Sequence, residues 1–290
     1  MNLITKGGKT PWFFSDQNEV TALVTGDWHV GDKYGILPRK PITKDGGGVR
    51  PSQTQSKIYR ELIQTLKKIG HVDLLLIMGD TCEGKQLASF GVPLNDADTD
   101  NQVNWSGEFY QETFYDINSP DVVISIMGTA YHVMVGIGGN LDYQVSQKIA
   151  QMSDTYFGYP NARFNLGKEK LLWDLQHRVS IANVNRLMPF EKIIRTYAVN
   201  AANNGGVVPD VIGRAHNHDL CYAAVDVSDG SIPRIAFNSA CLKADDIYGQ
   251  NLSYPAMAKV GVTTMKQTGA TVTGEKHLFS LYDNGVEKID

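Results

Sequence analysis

The chain has little cysteine and no paired cysteine motif: Cys82, Cys221 and Cys241 are the only three in 290 residues. An odd number of distant thiols excludes a disulfide framework and a closed thiolate zinc site, and it fits a reducing cytoplasm. No apolar run reaches membrane-spanning length. Gly7, Gly8 and Pro11 interrupt the N-terminal stretch where a secretory signal needs a continuous apolar core. The expectation is a cytoplasmic protein with no membrane partner. Basic charge is not in excess either: 27 Lys and Arg against 31 Asp and Glu leave a net charge of -4. A broad electrostatic footprint for duplex nucleic acid is therefore missing. Internal repeats and low-complexity tails are also lacking. What is there, 42% hydrophobic and 20% charged residues, is the composition of an ordinary globular protein with a sizeable core. The length suits one large α/β domain.

Apolar runs that end in polar corners organise the chain. Residues 20–25 run into Gly26-Asp27-Trp28-His29, so a carboxylate and an imidazole leave the end of a buried strand two residues apart. Gly and Pro punctuate residues 31–51 and predict a surface loop opening off this corner. Ser52 predicts an N-cap, followed by Ile58, Leu62, Ile63, Leu66 and Ile69 at helical spacing up to Gly70. Residues 72–78 are too short and too uniformly apolar for an amphipathic helix and predict a parallel strand, which ends in Gly79-Asp80. Strand, helix, strand is a βαβ unit, and sites form beyond the carboxyl ends of its strands.

Residues 81–107 predict a polar loop leading into a short helix. A third strand at 122–127 ends in Gly128-Thr129-Ala130-Tyr131-His132. Asn140 reads as the cap of a helix carrying Leu141, Val145, Ile149 and Met152, in preference to Gly139-Asn140-Leu141-Asp142 as a metal motif. Strands follow at 171–175 and 178–182, the second closing at Asn183, and a helix starts at Pro189. The run at 211–213 enters Arg214-Ala215-His216-Asn217-His218, and later strands are predicted at 220–227, 234–237 and 277–282. The sum is two sheets packed face to face with helices outside. His71 and His177 read as strand starts, the wrong end for a site, and His277 as a strand residue. Trp28 and Tyr131 either line the site or pack.

Four strand ends thus carry Asp27 and His29, Asp80, His132, and His216 with His218. Carboxylate oxygen plus imidazole suits divalent Mn, Fe, Zn or Co. A carboxylate such as Asp80 can bridge two ions, the arrangement used for displacement at phosphorus. In this order the motifs resemble the calcineurin-like metallophosphoesterase superfamily. Gly26-Asp27-Trp28-His29 and Gly79-Asp80 match its signature, and Gly213-Arg214-Ala215-His216-Asn217-His218 keeps both histidines after one inserted residue. Gly128-Thr129-Ala130-Tyr131-His132-Val133, Lys33-Tyr34-Gly35-Ile36-Leu37-Pro38 and Glu83-Gly84 look like its phage- and prophage-type members.

The resemblance implies an α/β (α+β) fold, a calcineurin-like four-layer αββα sandwich of two mixed sheets flanked by helices. One domain spans 1–290, with an N-terminal extension at 1–19 and a loop-rich C-terminal region at 243–275. The implied activity is phosphodiester hydrolysis by a metal-bound hydroxide at a dinuclear site. Asp27, His29 and His218 then hold the first ion, Asp80 bridges, and His216 holds the second, with Asn183 offering a carbonyl oxygen. Asp80 and His132 are the implied catalytic residues, His132 as general acid. The cofactors are two divalent ions, Mn first, with Fe, Zn, Co or Mg as alternatives. Thr129, where the superfamily has an Asn ligand, and Arg214 are candidate substrate contacts. The substrate is a phosphate ester, nucleotides and nucleic-acid ends included, in a host cytoplasm if the chain is phage-encoded. The rival expectation is a catalytically impaired metal-binding or structural protein that lost its chemistry through Thr129 and Asn183.

Overall fold

The computed structural model describes residues 1–5, 8–84, 98–135, 139–177, 188–225, 234–244 and 258–281. Its strands are β1 (Asn2–Thr5), β2 (Trp12–Phe13), β3 (Glu19–Thr25), β4 (Leu74–Ile77), β5 (Val122–Ile126), β6 (Met134–Val135), β7 (Gly139–Asn140) and β8 (Asp154–Tyr159). They continue with β9 (Ala162–Leu166), β10 (Leu171–Leu175), β11 (Val211–Arg214), β12 (Cys221–Val225), β13 (Arg234–Asn238), β14 (Gly261–Thr268) and β15 (Thr271–Leu278). The α-helices are α1 (Gln53–Ile69), α2 (Thr99–Tyr110), α3 (Ala130–Val133), α4 (Leu141–Ile149) and α5 (Met188–Asn204); a π-helical stretch, Gln111–Asn118, continues α2.

The four apolar residues of β4 show how the layers arise. Strand alternation sends Leu74 and Leu76 to one face and Leu75 and Ile77 to the other, so both faces must be covered. Leu74 and Leu76 join Val24, Phe164, Trp173 and Phe237 in the core between the sheets. Leu75 and Ile77 join Leu62 of α1, Phe109 of α2 and Val145 of α4 in a second core under the helices. One sheet has seven strands in the order β1-β8-β5-β4-β3-β14-β15. It is parallel from β1 to β3 and antiparallel at β14 and β15. The other has six in the order β12-β13-β11-β10-β9-β2, with β10, β11 and β13 parallel. α5 covers its outer face, where Phe190 and Ile194 meet Ile212 and Ala236. Two mixed sheets flanked by helices are the architecture the sequence predicts.

α1 forms as its ends dictate. Ser52 Oγ accepts the Gln55 N–H at 3.2 Å and Gln55 Oε1 accepts the Ser52 N–H at 2.9 Å, a capping box. Gly70, at φ 73°, closes the helix. Among the described residues no helix is long and apolar enough to cross a membrane.

Elsewhere the structure corrects the sequence reading. The stretch 1–19 supplies β1 and β2, each at the edge of a sheet, and is no mere extension. The region 243–275 is not loop-rich throughout, since β14 pairs antiparallel with β3 and β15 in one continuous ladder. Polar Thr263 and Gln267 are buried there, which masks the alternation. α2 begins inside the supposed polar loop, with Val103, Trp105 and Phe109 buried. The supposed surface loop at 31–51 folds back at Ile36 and Leu37, both buried. The predicted strand at 178–182 and Asn183 lie outside the described residues.

Candidate metal centre

Parallel strands of both sheets deliver their carboxyl ends to one place. β3 leads to Asp27 and His29, β4 to Asp80 and Glu83, β5 to Thr129 and His132, β10 to His177, and β11 to His216 and His218. The corners after β3 and β4 prolong their ladder: the Asp27 N–H donates to the Gly79 carbonyl at 2.9 Å and the His29 N–H to the Asp80 carbonyl at 3.0 Å. Asp27, His29, Asp80, His216 and His218 all have φ between 47° and 79°. This left-handed region costs energy for side chains with a Cβ, and such strain gathers at functional sites. Gly128 gives the room needed, since a Cβ there would lie 2.1 Å from Asp80 Oδ1.

Two groups of candidate ligand atoms share Asp27, the atoms of each within 4.8 Å of one another: Asp27, His29 and His218, and Asp27, Asp80, His177 and His216; a third, His29, Glu83 and His132, adjoins them. Asp27 belongs to both groups, whereas Asp80, the expected bridge, falls in the second. His177 is the residue the sequence reading set aside. It leaves the carboxyl end of β10, the right end for a site. Its Nε2 lies 2.9 Å from Asp80 Oδ2 and 3.8 Å from Asp27 Oδ1. Its Nδ1–H donates to the Met78 carbonyl at 2.6 Å, which turns the Nε2 lone pair toward the carboxylates. The signal was present in the sequence: an apolar run, Leu171-Leu172-Trp173-Asp174-Leu175, with an imidazole two residues beyond it.

The remaining ligands are oriented as closely. His29 donates Nδ1–H to Glu83 Oε2 at 2.6 Å, and its Nε2 lies 3.8 Å from Asp27 Oδ1. His218 Nε2 approaches the same oxygen at 3.5 Å. The His216 N–H donates to Asp27 Oδ2 at 3.2 Å. Among the described residues, Asp27 Oδ1 and His29 Nε2 are buried and have no hydrogen-bond partner, whereas His177 Nε2, also buried, faces Asp80 Oδ2. Each such buried atom costs about 1–3 kcal/mol if left so. His29 Nε2 and His177 Nε2 each lie 3.8 Å from Asp27 Oδ1, one in each group, a set of carboxylate oxygen and imidazole nitrogens that suits divalent cations. No cysteine joins either group among the described residues.

Charge in the centre is tightly linked. Burial works to raise the Asp27 and Asp80 carboxyls, but His177, joined by His218 and His29 at Asp27 and by His216 and His132 at Asp80, holds both well below the ordinary carboxylate range. The reciprocal effect lifts His177: burial lowers it, yet Asp80 and then Asp27 push it up to about 9. His132 is shifted down, first by burial and then by the neighbouring His29.

The other expected residues take varied places. Thr129 braces ligands: its N–H donates to Asp80 Oδ1 at 2.7 Å, and its hydroxyl lies 3.0 Å from Asp80 Oδ2 and 3.1 Å from His216 Nδ1. Arg214 is buried on the α5 side of its sheet with Asp174, whose Oδ1 accepts from Nη2 at 3.0 Å. The strand alternation that sets Val211 in the core between the sheets turns Arg214 to the opposite face, which corrects its assignment as a substrate contact. His132 donates Nδ1–H to the Glu83 carbonyl at 3.1 Å, and its ring meets that of His29 at 4.7 Å. Asn140 caps α4 as predicted, accepting the Tyr143 N–H at 3.0 Å. Asp142, two residues on, is a residue the sequence reading missed: it accepts the backbone N–H groups of Asp80, Thr81 and Gly128 at 3.2, 2.9 and 2.7 Å. Trp28 is core, stacked on Phe114, while Tyr131 is exposed beside His132.

No family model matches the chain, and no curated protein matches it. Among solved structures it is similar to zinc-complexed Vps29 from Entamoeba histolytica, at TM-score 0.40 and 13% identity over 90% of this chain and 99% of that one. A metallophosphoesterase from Sphaerobacter thermophilus gives TM-score 0.40 and 11% identity over 90% and 89%. A predicted phosphoesterase from Streptococcus pneumoniae gives 0.35 and 10% over 92% and 94%. Likenesses with TM-scores this low decide neither fold nor chemistry.

Proposed function

We propose that the chain is a calcineurin-like metallophosphoesterase that hydrolyses phosphodiesters at a centre of two divalent ions, with Mn the leading candidate. The observation that carries this reading is the pair of largely buried Asp/His groups that meet at Asp27, whose Oδ1 has no hydrogen-bond partner among the described residues and lies 3.8 Å from both His29 Nε2 and His177 Nε2. The Gly128-Thr129-Ala130-Tyr131-His132-Val133 stretch supports a phage- or prophage-type member acting in the cytoplasm on nucleotides or nucleic-acid ends.

When bound, the ions supply Lewis acidity toward water and the phosphoryl oxygens. The chain's own residues do the rest. Asp27, common to both ligand groups, fixes their relative placement. Glu83 and the Met78 carbonyl set the ring orientation of His29 and His177. Thr129 holds Asp80 and His216 together. His132 is the candidate general acid: with Nδ1–H committed to the Glu83 carbonyl, proton exchange is left to Nε2.

The rival reading of an impaired protein rests on Thr129 and Asn183. His177 brings an imidazole to the second group and Thr129 braces two ligands, which favours the enzyme. The test is hydrolysis of a chromogenic diester and monoester by protein reloaded with Mn, beside an Asp80→Asn variant. Diester turnover that collapses in the variant is expected; equal inactivity of both across several metals rejects the reading.

A further inference from the structure

The proposed centre has a buried charge network behind it that none of its chemistry uses. We infer that Lys243 is a positioning residue for His29, acting through Glu83. The inference rests on reading Asp27, His29 and His218 as metal ligands. Glu83 Oε2, which takes the His29 Nδ1–H at 2.6 Å, lies 3.6 Å from Lys243 Nζ, and the same ammonium lies 3.3 Å from Asp32 Oδ2. Glu83, Lys243 and Asp32 are 4%, 6% and 0% exposed. A lysine that deep is rare unless it is paired, and here it stands between two buried carboxylates.

The backbone registers this network on the metal corner. Lys243 follows β13; its neighbour Leu242 donates N–H to the Asp27 carbonyl at 3.2 Å, and Ala244 donates to the Tyr34 carbonyl at 2.9 Å. Asp32 is fixed in turn: its Oδ1 accepts the Tyr34 N–H at 2.6 Å, and its carbonyl accepts Gln55 Nε2 of α1 at 3.0 Å. Lys243 therefore holds Glu83 against Nδ1, and Glu83 holds the His29 ring with Nε2 toward Asp27. Carboxylates behind a ligand histidine fix its ring and raise its basicity, and losing one typically weakens metal binding about 10–100-fold.

The test is calorimetric titration of Mn into the full chain for wild type, Lys243→Gln, Glu83→Gln and their double variant, each first checked for native circular dichroism. Each single variant is expected to weaken the Mn site that His29 serves about 10–100-fold. The double variant is expected to be no worse than either single one, because both break one link. Should Lys243→Gln fail to fold, Asp32→Asn combined with Lys243→Met removes cation and carboxylate together; the same loss is expected, with Asp32→Asn alone as control. Wild-type affinity in a folded variant lacking Lys243, or losses that simply add in the double variant, overturns the inference alone. A wild-type chain that takes up no Mn overturns both the inference and the dinuclear reading.

Discussion

The two ligand groups that share Asp27 are backed by different chemistry. Behind His29 stands a charged relay, Glu83 and then Lys243. Behind His177 and His216 stand neutral groups, the Met78 carbonyl and the Thr129 hydroxyl. An anionic partner makes an imidazole a stronger donor than a carbonyl or a hydroxyl does. On the proposed two-ion reading, the first group is therefore expected to keep its ion and the second to exchange it, even though the second has one more candidate ligand residue. Strain alone does not separate them, because ligands of both groups sit at left-handed φ.

The largest effect should come from the residue that belongs to both groups. Asp27→Asn removes the shared anion and is expected to lower kcat/KM about 10³-fold or more, the equivalent of several kcal/mol of lost charge stabilisation. Both Mn affinities should fall together. If only one falls, the groups do not share Asp27.

His132→Asn should act on chemistry and leave the comparison intact. A loss of about 10²–10⁴ in kcat is expected for a diester with a poor, alkoxide leaving group, and much less for nitrophenolate, which needs no proton. Mn affinity should stay near wild type in both groups. Equal losses on the two leaving groups would remove His132 from the general-acid role.

The smallest effect is a pH dependence that belongs to the second group. In the metal-free protein the His177 pKa is raised from 6.5 to about 9 by Asp80 and Asp27, against burial. That pairing contributes stability that is whole below pH 6.5 and is lost as pH rises through about 9. Metal uptake needs the neutral ring, so the second affinity should run the other way and tighten up to about pH 9. Thermal melts in chelator should show Tm falling across this window, and His177→Asn should flatten the slope.

The fold was largely legible because its central strands carry both-face apolar runs, as in Leu74-Leu75-Leu76-Ile77, and because Ser52 and Gly70 mark α1. The edges were not legible: β1 and β2 are short, and β14 buries Thr263 and Gln267 where apolar side chains are the usual signal. In the centre, Asp27, His29, Asp80, His216 and His218 could be read from corners that follow apolar runs. His177 escapes the sequence reading because it stands two residues beyond the end of β10, where it reads as the start of a strand predicted at 178–182. Asp142, Lys243 and Asp32 were beyond sequence reach, since each acts through a partner far along the chain: Asp142 on Asp80 and Gly128, Lys243 on Glu83.

The most direct test of the centre is a count of Mn ions per chain by elemental analysis after dialysis, for wild type and for His177→Ala. Two ions in wild type and one in the variant, the retained ion being the tighter, is the predicted result. One ion in wild type, or the same count in both proteins, would contradict a dinuclear centre completed by His177.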